Sequence, residues 1–298
     1  MFINGVEIED TYAEGFLMSG TRFIITADTM DWALEAARRA CGFATSIIAC
    51  GAEADIESQF ESGPDGRPGV SILLLSMNHQ KVAEQTLNRV GQCVMTCPTT
   101  ACFNGWDGGE PIDIGKSLRF FGDGRQMSKV MFGRRFWRIP VMDGEFLCEE
   151  SFGTFEGGSD GNLILLGKDR PTTLKAAMAA CDAMRASGNV FLPFPGGIVR
   201  SGSKVGSRYK MLSASTYHSF CPTLRNEEET LLPEGANCAY EIVVCSHSVK
   251  PIRKAMAAGI LAAAIPGMVR ITAGNYGGNL GQVHFPLYEI LKEEAGIE

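Results

Sequence analysis

The sequence is poor in histidine, lacks paired cysteine motifs and has no long apolar run, and each shortage argues against a class of function. Only 4 His occur in 298 residues. The 10 Cys include no CxxC pair, so the spacing of a zinc site is missing and we predict no metal centre. The first residues lack the basic start and apolar core of a signal peptide, so we expect reduced thiols in a cytoplasmic protein.

Neither charge nor hydropathy suggests a nucleic-acid or membrane partner. The formal net charge is -7 and the pI is about 5.3, and Lys and Arg are spread along the chain instead of forming one basic segment. The most apolar stretch, residues 255–269, is shorter than a membrane span and is interrupted by Pro266. We therefore predict a packed helix there and no transmembrane segment.

Strand-then-helix patterns recur in the two halves of the chain. Residues 21–42 change from a β-rich run to an Ala-rich helix that ends at Gly42, and residues 162–182 repeat this pattern with Pro171 in the first helical turn. A second pair occupies residues 70–91 and 240–259. The repetition predicts an α+β fold of two duplicated ferredoxin-like (split βαβ) lobes, residues 1-147 and 148-298, joined in the polar stretch near Gly144 to Gly153.

Two glycine-rich segments combine Gly with polar side chains and are candidate ligand loops. Residues 193–206 (PFPGGIVRSGSKVG) look like a phosphate loop, but Ser203 separates Lys204 from Gly202, and an apolar residue follows where a metal-binding hydroxyl is needed. Neither this segment nor residues 273–281 (AGNYGGNLG) joins a strand directly to a helix, so nucleotide-hydrolysing and dehydrogenase sites are excluded. The remaining Gly clusters, residues 63–69, 122–124 and 157–161, are predicted to be turns.

Glu241 is the unusual ionisable residue, because it lies within the apolar strand YEIVVC at residues 240–245. Burial would raise the pKa of its carboxyl group and suit it to proton transfer, whereas an outward-facing side chain would leave it an ordinary surface residue. Nucleophilic alternatives are weaker: there is no Gly-x-Ser-x-Gly elbow, and neither Cys97 nor Cys221 has an assignable His or Asn partner.

Motifs spread over nearly the whole chain resemble those of the formylmethanofuran:tetrahydromethanopterin formyltransferase family. They are INGVEIEDTYAE at residues 3–14, PDGRPG at 64–69, GQCVMTCPTT at 91–100, FFGDG at 120–124, PFPGGIV at 193–199, SGSKVG at 201–206 and AGNYGG at 273–278. The resemblance implies two ferredoxin-like lobes, a homotetramer, and formyl transfer between the primary amine of methanofuran and N5 of tetrahydromethanopterin. These two molecules would act as carrier substrates, with no tightly bound cofactor or metal.

The resemblance also assigns residues. The family's catalytic carboxylate is a Glu on a Tyr-Glu-Ile-Val strand, which corresponds here to Glu241. It would hold the proton that moves between the attacking and leaving amines of a tetrahedral intermediate. The predicted substrate-binding residues come from the two glycine-rich segments: Gly196, Gly197, Ser201, Ser203, Lys204, Asn275 and Tyr276.

Several details leave alternatives open. Arg200 stands where archaeal members have a small residue, which resembles bacterial relatives that form one subunit of a formyltransferase/hydrolase complex. The physiological direction of formyl transfer is therefore open between methanogenesis and formaldehyde oxidation. Other subunits of such a complex are further candidate partners. The alternative functions are a non-catalytic scaffold subunit of such a complex, and hydrolysis of the formyl amide, which would need an activated water.

Overall fold

The computed structural model describes residues 1–227 and 229–297. Within these residues no helix is long and apolar enough to cross a bilayer. The chain folds into two compact units. The discontinuous unit combines Met1–Phe16 with Ser159–Glu298, and the continuous unit is Leu17–Gly158. The first strands therefore belong to the same compact unit as the second half of the chain. The repeats in the sequence instead divide the chain at residue 147.

Most of the regular structure consists of β-strands, many of them short. In chain order they are β1 (Phe2–Ile3), β2 (Val6–Ile8), β3 (Tyr12–Gly15), β4 (Leu17–Thr26), β5 (Glu53–Phe60), β6 (Gly69–Ser76), β7 (Ala101–Asn104), β8 (Met127–Met131), β9 (Arg134–Val141), β10 (Gly144–Glu149), β11 (Thr154–Gly167), β12 (Lys204–Val205), β13 (Ala214–Ser215), β14 (Cys238–Ser246), β15 (Met268–Thr272) and β16 (Val283–Pro286). The predicted polar join thus contains β10, which pairs along its length with β9.

The α-helices are α1 (Met30–Cys41), α2 (Ile47–Cys50), α3 (His79–Arg89), α4 (Ile114–Leu118), α5 (Arg170–Ala186), α6 (Val249–Ala263) and α7 (Leu287–Ala295). They begin where the sequence supplies caps. Thr29 accepts a hydrogen bond from the amide of Trp32 at 3.4 Å, and Asp169 accepts one from the amide of Thr172 at 2.8 Å, because short polar side chains satisfy the free amides of a first turn. The strand-then-helix predictions for both halves are confirmed.

In the continuous unit the strands β7, β4, β6 and β5 lie side by side, and each neighbouring pair is antiparallel. β10 extends this sheet parallel to β7, and β9 and β8 follow. Alternate residues of β4 and β6, among them Phe23, Ile25 and Ile72, enter a core that also contains Ala36 and Ala40 of α1. Small side chains on α1 allow the helix to pack closely against the sheet.

In the discontinuous unit β15, β11 and β14 are neighbours in an antiparallel sheet, and β2 adds to β15 in parallel. Isolated bridges from Phe191 to Cys245 and from Val199 to Glu241 place the segment after α5 along the free edge of β14. Alternation decides which side chains meet the helices, because successive residues of a strand point to opposite faces. Leu163 and Ile242 pack in the core with α5 and α6, so Glu241 projects from the opposite face.

A two-stranded ribbon completes the discontinuous unit. β3 pairs antiparallel with β16, with Gly15 opposite Val283 and Tyr12 opposite Pro286. Helix α7 follows β16 directly, and its residues Leu287 and Ile290 belong to the same core as Ile8 and Ala13. The ribbon therefore brings residues 11–15 beside the glycine-rich segment 273–281.

Candidate active site

Glu241 is half-buried on β14. Burial, and after it the nearby charge of Asp160, raises the pKa of Glu241 to about 7. A carboxyl group with such a pKa exchanges a proton readily near neutral pH. Its carboxyl group lies on the sheet face away from the helices and in the wall of a cavity, so it is neither a core group nor an ordinary surface group.

Asp160 is a second carboxylate on the same face of the sheet. It lies on β11, where Ile164 is directly opposite Glu241 and Asp160 is four residues, or two repeats of the pleat, further along. Its Oδ1 accepts a hydrogen bond from the amide of Phe16 at 2.6 Å. Burial nevertheless raises the pKa of Asp160 to about 6, although the Phe16 hydrogen bond acts in the opposite direction. The prediction of a turn at residues 157–161 is wrong, because they belong to β11.

A cavity of about 360 Å³ opens beside Glu241. Residues of β11 and β14, of the segment along the edge of β14, and of the two 3-10 turns His218–Phe220 and Pro222–Leu224 contribute to its wall. The lining residues are Ile164, Val199, Arg200, Ser201, Gly202, Tyr217, Phe220, Cys221, Pro222, Thr223, Ala239, Tyr240 and Glu241. A second cavity of about 610 Å³ shares Val199, Arg200, Ser201 and Cys221 with the first. The two cavities therefore meet along residues 199–201.

The 193–206 segment reaches Glu241 through its backbone. The amide of Val199 donates to the carbonyl of Glu241 at 2.7 Å, and the amide of Glu241 donates back at 3.1 Å. Ser201 lines both cavities. Neither cavity wall includes the other four predicted residues of this segment.

Gly196 is exposed with φ +65, and Gly197 is packed against Cys181 and Arg185 of α5. A Cβ at Gly197 would lie 2.9 Å from the Cys181 sulfur, so this glycine permits close packing of the loop on α5. Lys204 lies in β12, which pairs with β13.

Two aromatic rings, those of Tyr217 and Phe220, line the cavity, and the ring of Tyr276 lies next to Tyr217. The rings of Tyr217 and Phe220 meet edge to face with centroids 4.7 Å apart, and Tyr217 stacks on Tyr276 at 6.3 Å. The hydroxyl of Tyr276 donates to the carbonyl of Ser203 at 3.3 Å. Burial, and next the charge of Glu241, raises the pKa values of Tyr217 and Tyr276, so both phenols are protonated donors at neutral pH. Sequence reasoning missed Tyr217, which lies in no recognisable motif.

The 273–281 segment uses most of its polar groups internally. The Asn275 side chain donates to the hydroxyl of Thr11 at 3.2 Å and accepts from the amide of Gly277 at 2.8 Å. Four further amides of the segment bind the buried carboxylate of Glu14. Of the predicted residues of this segment, Tyr276 is the one whose side chain lies near Glu241.

The chain matches two family models in succession. The first, described as formylmethanofuran-tetrahydromethanopterin formyltransferase, covers residues 1–141, and the second, the proximal lobe of the same protein, covers residues 144–290. The chain belongs to the formylmethanofuran-tetrahydromethanopterin formyltransferase family. Glu241, Asp160 and both cavities lie in the part that matches the proximal-lobe model.

Relatives within the formyltransferase family cover this chain almost completely. The formylmethanofuran--tetrahydromethanopterin formyltransferase of Methylobacillus flagellatus is 54% identical over 98% of this chain and 100% of its own length. Two solved members are each 46% identical. The formyltransferase of Methanosarcina barkeri has a TM-score of 0.90 and covers 97% of this chain and 100% of its own. The formyltransferase/hydrolase complex of Methylorubrum extorquens with methylofuran has a matching chain with a TM-score of 0.94 and 98% coverage of both.

The mixed α and β architecture is thus the one found in solved formyltransferases. Among residues 1–227 and 229–297, no three His, Cys, Asp or Glu side chains gather into a metal-binding group. The groups that the described site offers to a substrate are the carboxyl group of Glu241 and the hydroxyl and guanidinium donors around it.

Proposed function

We propose that this chain transfers a formyl group between N5 of tetrahydromethanopterin and the primary amine of methanofuran, with Glu241 as the acid and base. The observation that carries the proposal is a carboxyl group in a cavity wall with a pKa raised to about 7. Both carriers act as substrates, and neither a metal nor a prosthetic group enters the reaction. The family membership of the chain supports the choice of substrates.

Formyl transfer between two amines requires one proton to change places. The attacking amine adds to the formyl carbon and forms a tetrahedral intermediate, while its N–H proton passes to the Glu241 carboxylate. Glu241 then returns the proton to the leaving amine as the old C–N bond breaks. Because the same carboxylate begins and ends the cycle deprotonated, the scheme works in both directions.

The negative charge that develops on the formyl oxygen needs hydrogen-bond donors. Among the donors that line the cavity with Glu241 are the hydroxyl groups of Ser201 and Tyr217 and the guanidinium group of Arg200. We propose that the oxyanion is bound by this set, and that Gly196, Gly197, Ser203, Lys204, Asn275 and Tyr276 shape or line the approach for the carriers.

The decisive experiment is transfer by the isolated chain and its Glu241→Gln variant. With formyl-tetrahydromethanopterin and methanofuran, we expect the wild-type chain to form formylmethanofuran and the variant to be at least about 100-fold slower, since general acid-base catalysis contributes about that much. Glu234→Gln is the matched control, because Glu234 is an exposed carboxylate of the same unit. Full activity of Glu241→Gln would refute the role of this residue.

A second candidate function is a scaffold subunit that does not itself catalyse transfer. It is favoured by the likeness to a chain of the solved formyltransferase/hydrolase complex. Wild-type chain that transfers no formyl group alone, but does so after other subunits are added, would support this function. Formate released by the isolated chain would instead support hydrolysis.

For the assembly and fold we propose a cytoplasmic homotetramer, or a complex with hydrolase subunits, built from ferredoxin-like lobes 1-147 and 148-298. The strand order β7-β4-β6-β5 in the continuous unit supports a split βαβ arrangement. So does the order β15-β11-β14 followed by the bridging segment 191–199 in the discontinuous unit. The two family models divide between residues 141 and 144, near the proposed boundary.

A further inference from the structure

Glu14 is a buried carboxylate that the proposed chemistry does not use. It lies on β3 with 4% of its surface exposed. One carboxylate oxygen accepts hydrogen bonds from the amides of Tyr276 and Gly278, and the other accepts from Leu280 at 2.8 Å and Gly281 at 3.0 Å. Burial alone would raise the pKa of Glu14, but these amides outweigh it and hold the pKa below its usual value.

The backbone amides form an anion-binding nest, and the anion in it is the Glu14 carboxylate of the protein itself. Four amides of one glycine-rich turn converge on a negative group, as backbone amides do around bound phosphate in other proteins. Since Glu14 already occupies the turn, its amides are not available to a substrate carboxylate, phosphate or oxyanion. The turn can therefore act on the candidate site through a side chain but not through these four amides.

That side chain is Tyr276. Its amide is one of the four bound to Glu14, its ring stacks on Tyr217, and its hydroxyl donates to the carbonyl of Ser203. Tyr276 thereby connects the nest to the 193–206 segment and to the wall that contains Glu241. The backbone on the other side is also constrained, because Asn275 donates to Thr11 and the amide of Glu14 donates to the carbonyl of Gly274 at 3.2 Å.

We propose that Glu14 is a positioning residue for formyl transfer, which holds the turn at residues 276–281 so that Tyr276 stands against Tyr217 and Ser203. This inference rests on the proposed function for its kinetic consequence, but not for its structural one. Glutamine cannot replace Glu14, because its amide nitrogen would face two of the four backbone N–H groups that now donate to the carboxylate. The turn would then open, and Tyr276 would lose its fixed place.

The first test needs no activity. In protein with ring-labelled tyrosine, the NMR signal missing from Tyr276→Phe identifies Tyr276 among the 6 Tyr of the chain. We expect this signal to shift or broaden in Glu14→Gln and to stay in place in Glu7→Gln. Glu7 is a suitable control, since it is a paired carboxylate of the same unit, 2.9 Å from Arg270. A Tyr276 signal unmoved in Glu14→Gln would overturn the proposal.

The second test is a double-mutant cycle on kcat/KM. We expect Glu14→Gln to lower kcat/KM about tenfold in wild-type background. In the Tyr276→Phe background the same change should cost less than about twofold, because the residue through which Glu14 acts is already altered. Losses that simply multiply would mean that Glu14 only stabilises the fold, and would contradict the proposal.

If Glu14→Gln does not fold, Thr11→Ala loosens the same turn more mildly, and the Tyr276 signal and the cycle are measured with it. The same criteria then apply, with a kinetic loss of about threefold expected. If the wild-type chain transfers no formyl group, the proposed function fails, while the Tyr276 signal still decides whether Glu14 positions the turn.

Discussion

Three carboxylates of the discontinuous unit have pKa values that differ because of what each one contacts. Glu14 receives amide hydrogen bonds on both oxygens, and these outweigh its burial and hold its pKa low. Asp160 accepts a single amide hydrogen bond, from Phe16, and the effect of burial is larger than the effect of this bond, so the pKa of Asp160 is raised. Burial and the charge of Asp160 both raise the pKa of Glu241. The number of donors therefore separates a structural anion from a group that can exchange a proton.

The pH dependence of transfer tests this account of Glu241. As the base, Glu241 must be deprotonated, so kcat/KM should rise with pH through an apparent pKa near the value of about 7. Asp160→Asn removes the neighbouring negative charge, which lowers the pKa of Glu241 and moves the acid limb to lower pH by roughly half to one unit. The variant retains an oxygen acceptor for Phe16.

The other groups beside Glu241 define the control. Tyr217, Tyr276 and Arg200 also lie near its carboxylate, and Tyr217→Phe changes none of the charges present at neutral pH. Its acid limb should match that of wild type. An acid limb unchanged by Asp160→Asn would show that burial alone sets the proton affinity of Glu241.

The sequence singles out Glu241 as a candidate but gives no sign of Glu14 or Asp160, and the reason is physical. Glu241 is a charged residue within the otherwise apolar strand at residues 240–245, and this can be recognised from the local sequence. The partners of Glu14 are 262 to 267 positions away in sequence, so no local pattern connects them. Asp160 occupies a Gly-rich run that resembles a turn, and the long pairing of β11 with β14 overrides that local preference.

At the scale of elements, the contact of β3 with the end of the 273–281 segment tolerates no side chain. A Cβ on Gly281 would lie 2.6 Å from the carbonyl oxygen and 2.7 Å from the nitrogen of Gly15. Both are backbone atoms of the β3–β16 ribbon and cannot rotate away. The ribbon and the nest around Glu14 thus depend on the same close approach.

Gly281→Ala should therefore destabilise the protein by about 1–3 kcal/mol, the usual cost of overpacking, and lower transfer activity with it. Urea unfolding measures the first effect and kcat/KM the second. Gly91→Ala is the control, since its Cβ would meet only the flexible end of Leu118 at 3.0 Å. A stability loss in Gly281→Ala no larger than in the control would contradict the close contact.

Elements were easier to predict from the sequence than their assembly. Helices α1, α3, α5 and α6 are each preceded by a polar cap or a proline signal that acts over a few residues. The ribbon of β3 with β16 joins the two extremes of the chain, and neither strand has more than four residues. Only tertiary pairing gives such short strands their stability, so their positions were not predictable.

At the scale of the whole molecule, charge is unevenly distributed despite a net charge of -7. No Asp or Glu occurs in the sequence between Asp182 and Glu227, whereas the same stretch contains Arg185, Arg200, Lys204, Arg208, Lys210 and Arg225. This stretch supplies much of the wall around both cavities. Of these basic residues, Arg200 lies in the walls of both cavities, and we expect its positive charge to favour anionic substrates.

Ionic strength should accordingly affect binding. We expect the KM of an anionic carrier to rise about two- to fivefold between about 0.05 M and about 0.5 M NaCl, because salt screens exposed charges. Arg200→Gln should flatten this dependence, and Lys175→Gln, on the exposed side of α5, should leave it unchanged. A KM independent of salt in wild-type protein would show that the basic stretch does not attract substrate.

The bonds from Glu14 to the 276–281 turn also bear on how the chain is made. Residue 14 leaves the ribosome long before residues 276 to 281 do. The amide donors of the Glu14 carboxylate are therefore synthesised 262 to 267 residues after it. Until then the charge stays in water, and β3 has no partner strand to cover it. Assembly of the candidate active site is thereby deferred to the last stage of synthesis, and a nascent chain that ends before residue 276 should remain without activity.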